Sequence, residues 1–183
     1  KCNVNFNYKN FKIPVIIHNL KNYDAHFIIK YYKPRTYINK DGITKEVNLS
    51  VIANNQEKYM SITLGRLKFI DSYQFLTSAL STLASNLKKA GNNLFVYTKL
   101  YMGKHWEIAC QKGIYPYEYM DSFDKFNDTK LPDINNFYSK LTESNITEDE
   151  YKHALDVWKL LDMKTFKDFH DFYLKCDVLL LSD

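Results

Sequence analysis

The chain has 183 residues, enough for one domain with a buried core, and its 45% apolar and 25% charged residues are ordinary for a soluble globular protein. The formal net charge is only +4, from 25 Lys and Arg against 21 Asp and Glu, which permits nucleic-acid binding without arguing for it. No apolar run reaches the roughly 18 residues of a transmembrane helix, no signal peptide is visible, and Cys2, Cys110 and Cys176 are too few and too scattered for a disulfide framework or a complete zinc site.

That cysteine usage points to a reduced, intracellular compartment. Aromatic residues reach 16%, with 15 Tyr; core filling explains this as well as stacking on nucleic-acid bases does. Along the chain, residues 13–17 are a short apolar run and read as a buried strand, with Pro14 near the start marking an edge or a beginning. Residues 19–23 are a polar turn, and 25–32 read as a short helix. Asp41-Gly42 signals a turn that closes a hairpin. Residues 49–53, 59–64 and 66–70 read as strands, the last two joined tightly at Gly65. A helix is expected over 75–89, because Leu76, Leu80, Leu83 and Leu87 recur at spacings of four, three and four, with Gly91 as its stop. Residues 92–132 have many aromatics and little periodicity and read as irregular. Thr147 and Glu150 form a capping box for a helix with Tyr151, Ala154, Leu155, Trp158 and Leu161 on one face. Thr165 and Asp168 cap the last helix similarly. The chain starts at Lys1 rather than Met and stops inside the apolar run Val178 to Leu181, so both ends read as cut.

Two segments carry chemistry. In residues 15–28 an apolar strand delivers a polar loop, His18 to Tyr23, and Asp24 sits where a helix begins. A carboxylate there can hold a divalent cation with water left in the shell or cap the helix; on chemistry alone the cap has the better claim. On the last helix, Tyr173 and Asp177 are four residues apart and share a face with Phe169, Cys176 and Leu180. An Asp among those neighbours needs a metal, a Lys or Arg, or solvent to neutralise it; a surface-facing Asp is the plain alternative.

Asn19-x3-Tyr23-Asp24 resembles the second exonuclease motif of family B DNA polymerases, and Tyr173-x3-Asp177 resembles the third. Either alone is weak; their order and their strand-loop-helix and helix contexts make the pair more specific. His18 to Lys21 and Phe27 to Ile29 extend the match toward the protein-primed branch, found in bacteriophages, linear plasmids, adenoviruses and Polinton or Maverick transposons. Residues 69–76 resemble the Ser/Thr-Leu-x2-hydrophobic motif, with Ser72 and Leu76 in place and Tyr73 standing for the usual Leu. Lys112 to Tyr115 resembles the Lys-x2-hydrophobic motif. The stretches 117–123 and 177–181 look most like the Polinton type. The resemblance covers nearly the whole chain.

The resemblance implies an α/β, ribonuclease H-like fold, a mixed sheet flanked by helices, with residues 1–183 forming an incomplete 3′–5′ exonuclease domain. It implies two-metal phosphodiester hydrolysis with Mg²⁺ or Mn²⁺, Asp24 and Asp177 as metal ligands, Tyr173 orienting the attacking water and Lys112 supporting catalysis. His18, Asn19, Tyr23, Phe27, Ser72 and Leu76 would contact a single-stranded DNA primer end. The parent protein would also engage template-primer DNA and a terminal protein primer, in a nucleus or a virus-like element and with no membrane partner. The family's first motif, Asp-x-Glu, has no match upstream of Asn19, so the isolated chain is expected to be inactive. The alternative is a catalytically dead ribonuclease H-like remnant of a transposable element that only binds nucleic acid or a terminal protein. An interaction domain with chance motifs ranks last.

The remaining polar residues have plainer roles. Asp71 reads as structural or as a turn cap, His105 and Trp106 as packing, His153 and His170 as surface or boundary residues, and Cys110 and Cys176 as core. Under the resemblance, Cys2 would be the last ligand of an upstream Cys/His segment.

Overall fold

The computed structural model of the chain describes residues 11–53 and 59–183; Cys2 and its proposed ligand role lie outside them. The chain divides into two compact units, residues 1–78 and 79–183.

The first unit contains β1 (Ile13–Ile17), α1 (Asp24–Tyr31), β2 (Arg35–Ile38), β3 (Thr44–Val47), β4 (Leu49–Ala53), β5 (Tyr59–Leu64) and β6 (Leu67–Asp71). Four strands form a sheet in the order β1-β6-β5-β4. β1 runs parallel to β6 and the other pairs are antiparallel, so the sheet is mixed. Gly65 makes the β5–β6 turn with φ +58, in the left-handed region, and a Cβ there would come within 3.1 Å of Val47. Strand alternation puts Ile17, Leu49, Ile62 and Phe69 on one face, and Ala25, Ile28 and Ile29 of α1 pack on it with Leu20. β1 is an edge strand, as Pro14 suggested. It is not the buried strand expected: Ile13 and Ile16 are 44% and 46% exposed, because an edge strand has one neighbour and Ile16 points away from α1. Asp24 is the first residue of α1 rather than its cap; Tyr23 holds the cap position and makes no side-chain cap bond.

β2 and β3 pair as a separate two-stranded ribbon. Its turn is an Asx turn: Asn39 Oδ1 accepts from the N–H groups of Asp41 (3.0 Å) and Ile43 (2.8 Å).

The second unit is helical, with α2 (Leu80–Ala90), α3 (Val96–Met102), α4 (Glu148–Leu160) and α5 (Phe166–Ser182) joined by short 3-10 turns. The helix expected over 75–89 begins only at Leu80, leaving Leu76 outside it. Two polar side chains explain the delay. Asp71, fully buried, accepts from Tyr73 N–H (2.9 Å) and Lys21 N–H (3.1 Å), which winds residues 72–74 into a 3-10 turn. His18 Nε2 donates to the Ser78 carbonyl at 2.9 Å, occupying an acceptor that a continuing helix would need.

The stretch read as irregular contains α3. Its first turn is capped by Asp183, whose carboxylate accepts from Tyr97 N–H (2.5 Å), Thr98 N–H (3.0 Å) and Thr98 Oγ1 (2.5 Å). The α4 capping box forms as expected: Thr147 Oγ1 accepts from Glu150 N–H at 3.2 Å, and Glu150 Oε2 accepts from Thr147 N–H at 2.8 Å. At α5, Asp168 accepts from Lys164 N–H and Thr165 N–H, and these bonds hold its carboxyl below the usual range.

The main core gathers Leu131, Phe137, Ala154, Val157, Met163, Phe166 and Phe169. A second cluster joins Ala84, Phe95, Cys110 and Leu180. Burial pushes the Cys110 thiol to about 11 and the Cys176 thiol to about 12, which makes both unreactive core residues. Among the described residues no helix is long and apolar enough to cross a membrane.

Candidate active site

In the second unit the site is built on α5. Phe169, Tyr173, Cys176 and Leu180 are buried along one side, and Asp177 follows Tyr173 by one turn with its side chain 25% exposed. Opposite them runs the non-helical segment 112–116. Lys112 Nζ donates to Tyr173 OH and to Asp177 Oδ2, each at 2.7 Å, and lies 4.8 Å from the Tyr173 ring centroid. Alternation along this segment turns Tyr115 and Tyr117 toward α5 as well. Tyr117 OH is 2.6 Å from Tyr173 OH. Tyr115 stacks its ring 4.9 Å from that of Tyr173 and shares a 2.7 Å hydrogen bond with His170 Nδ1. A polar row therefore runs Tyr117–Tyr173–Lys112–Asp177, backed by Tyr115 and His170.

Desolvation raises the Tyr173 and Tyr117 hydroxyls well above the ordinary tyrosine range and Tyr115 to about 12. All three stay protonated at neutral pH. Tyr173 can accept from the Lys112 ammonium while still holding a proton to share. Asp177 Oδ2 is neutralised by Lys112, whereas Oδ1 is buried with no hydrogen-bond partner among the described residues. An orphaned carboxylate oxygen is costly and can accept from a water or a ligand. Lys112 retains 29% exposure, so an incoming anion can reach it.

The fit to a divalent cation is poor. Among the described residues no three His, Cys, Asp or Glu side chains gather as a metal-binding group. One free oxygen on a carboxylate already paired to a lysine falls short of the six or more oxygen ligands such ions take. Behind Tyr173 is a cavity of about 20 Å³, lined by Ile108, Gly113, Ile114, His153, Phe169 and Cys176. It has room for about one water and none for a nucleotide.

His170 and His153 titrate low because burial disfavours their charged forms. Depressed folded-state values mean the unfolded chain binds protons first, so their stability contribution is present above about pH 6.5 and is lost as pH falls below it. Urea midpoints are expected to drop between about pH 7 and 5, and less so in His170→Phe. A midpoint flat across that range would show that neither ring is held neutral by the fold.

The first unit carries the other candidate residues. His18 Nδ1 is 3.0 Å from Ser72 Oγ, so these two residues of separate motifs meet. The carbonyl on Nε2 can only accept, which puts a proton on that nitrogen. Asn19 sits at φ +62, a conformation Asn tolerates better than most residues, and accepts from Asn22 Nδ2 at 2.7 Å. Tyr23 and Phe27 are 52% and 61% exposed, Leu76 37%, and Asp24 is exposed at the start of α1. Tyr117 and His170 were missed as site neighbours. The alternating Tyr115, Tyr117 and Tyr119 was the available signal, and it needs the position of α5 to be read. No protein-family model, no curated protein and no solved structure matches this chain.

Proposed function

We propose that this chain is part of the 3′–5′ proofreading exonuclease of a protein-primed family B DNA polymerase, and that it binds the frayed single-stranded primer end. One observation supports this reading most. Lys112, Tyr173 and Asp177 were singled out from two separate sequence motifs, and they meet through hydrogen bonds of 2.7 Å. An ammonium between a tyrosine hydroxyl and a carboxylate is suited to a phosphodiester: Lys112 meets a phosphate oxygen, and the protonated Tyr173 hydroxyl holds a water beside it. The Mg²⁺ or Mn²⁺ chemistry belongs to the proposal alone, with Asp24 and Asp177 as the carboxylates it would use. The exposed rings of Tyr23 and Phe27 suit stacking with any base. A second reading, a ribonuclease H-like remnant that binds nucleic acid or a terminal protein without hydrolysis, is favoured by the Lys112–Asp177 pair, which already neutralises the acid.

The test is a fluorescence-anisotropy titration with a labelled single strand, alongside nucleotide release from a 3′-labelled strand with Mg²⁺ or Mn²⁺. Weak, salt-sensitive single-strand binding is expected, with Phe27→Ala reducing it by about 1–3 kcal/mol and little or no nucleotide release. Absence of binding, or no effect of Phe27→Ala and Asn19→Ala together, overturns the primer-end reading. Release abolished by Asp24→Ala overturns the expectation of inactivity.

A further inference from the structure

The second unit leaves an apolar face uncovered on α3 and α5. Helical spacing sorts the residues of α3. Phe95 just ahead of it and Thr98 within it are buried, while Val96 with Leu100 and Tyr97 with Tyr101 point outward, Leu100 at 69% exposure. α5 lies alongside. Asp183 caps the first turn of α3, and near its other end Lys175 Nζ donates to the Tyr101 carbonyl at 3.1 Å. Lys175 is flanked along α5 by Leu174 and Val178, which are exposed in turn, Val178 at 64%. Six large apolar side chains, each about half exposed or more, therefore adjoin.

The charge around this face has one sign. Residues 72–106 hold four Lys and no Asp or Glu. Lys99 rests on the Trp106 ring, 4.3 Å from its centroid, rather than on a carboxylate. Lys104 and Lys175 are exposed, and none of the three takes part in an ion pair of the described residues. The neighbouring acids are committed elsewhere: Asp183 to the α3 cap, Asp177 to Lys112 and Asp171 to Lys167. Glu107 lies past α3, in the 3-10 turn that follows it. We propose that this face docks an acidic amphipathic helix of another protein. Apolar anchors on one side of that helix would cover Val96, Leu100 and Val178, and carboxylates along its flanks would meet Lys99, Lys104 and Lys175. The size fits. At roughly 100 Å² for each half-exposed side chain, the face measures roughly 600 Å², large for apolar surface left open on a monomer. It falls short of the roughly 800 Å² that each partner of a standard protein pair buries, and a second copy of the chain would set lysine against lysine. A bilayer suits it less, because α3 has seven residues and helices that lie in a membrane interface often run to about 20–30. Phosphates gain nothing from Val96, Leu100, Leu174 and Val178. The inference goes beyond the exonuclease reading and stands without it.

The experiment titrates the whole chain against a fluorescein-labelled synthetic peptide of about 15 residues, with Leu along one helical face and Glu elsewhere, by fluorescence anisotropy. A second peptide carries Lys in place of each Glu. The Glu peptide is expected to bind, and the Lys peptide to bind at least about tenfold more weakly. Leu100→Ser with Val178→Ser should lower affinity for the Glu peptide about tenfold or more at low and moderate salt alike. Lys104→Gln with Lys175→Gln should lower it about three- to tenfold at low salt and less at moderate salt, because salt screens exposed charges. Lys130→Gln with Lys152→Gln, at exposed positions elsewhere, should change it less than about twofold. Circular dichroism melts check that each variant folds, and Tyr101→Ser is the second apolar variant, since Lys175 bonds only its backbone. No binding of the Glu peptide, equal binding of the two peptides, or equal loss in face and control variants overturns the proposal. So does displacement of the bound peptide by a single-stranded oligonucleotide, which would make this a nucleic-acid surface. Cosedimentation with phosphatidylserine vesicles, or a dimer in sedimentation velocity, that is lost in Leu100→Ser with Val178→Ser would assign the face to a membrane or to a second copy and overturn it equally.

Discussion

Replacing Lys112 by Met lowers the stability of the helical unit by about 2 kcal/mol, the expected cost of stranding a largely buried carboxylate. Asp177 Oδ1 lacks a hydrogen-bond partner among the described residues, and Oδ2 accepts from the Lys112 ammonium at 2.7 Å. Met preserves most of the packing of the stem, so the loss reports the charge rather than a cavity. The value is set below the full buried-pair cost because Asp177 keeps 25% exposure and can recruit water. Adding Asp177→Leu in the same chain should restore more than half of the loss, since removing both partners of a buried pair is often near neutral. Urea melts of the two single variants and the double variant measure the coupling directly. A Lys112→Met variant within about 0.5 kcal/mol of the parent would mean the pair is solvated and contributes nothing.

Phe166→Ala is expected to cost more, about 3–5 kcal/mol, because the ring is fully buried and its removal leaves a cavity in a packed core. The ring lies 5.8 Å from both Tyr115 and Tyr119 and 5.9 Å from Phe169. The damage should therefore reach the site, since Tyr115 is the ring packed on Tyr173. Trp158 packs 6.3 Å from Phe169 and provides a fluorescence signal for the transition. Phe166→Leu, which keeps most of the volume, should lose no more than about 1.5 kcal/mol. Equal losses for Leu and Ala would show that shape rather than cavity volume sets the cost. The Lys112 variant should change binding of a phosphate-bearing ligand through charge, whereas Phe166→Ala should change it only through loss of order.

Local signals were legible wherever a residue acts on its immediate neighbours. The Thr147–Glu150 box, the Asp41-Gly42 turn, the Gly65 hairpin and the Gly91 stop are all short-range events, and each formed as its residue types require. The strand runs and α1 followed from hydrophobic pattern in the same way. The errors share one cause. Residues 75–79 have helical leucine spacing, but Asp71 winds the chain before them into a 3-10 turn and His18 takes up the Ser78 carbonyl that a helix there would have used. Residues 96–102 have weak periodicity, yet they form α3 because a carboxylate 85 residues away caps it. Asp24 has the composition of a cap and the position of a first-turn residue.

The candidate site divides along the same line. The sequence by itself determined that Tyr173 and Asp177 lie on one helical face, because a four-residue spacing allows nothing else in a helix. It also determined that an acid so placed needs a partner, because an unpaired buried charge is too costly to leave. Which partner it takes was decided only by tertiary structure. Metal, lysine, arginine and water were all open until the 112–116 segment laid Lys112 against α5 and brought Tyr117 onto Tyr173. The ribbon follows the same rule: its hairpin was readable from Asp41-Gly42, but only the strand register put Arg35 and Lys45 on one face and Glu46 on the other. Hydrogen bonds to near neighbours are encoded in short words of sequence, whereas a contact across 65 residues depends on how every intervening element packs.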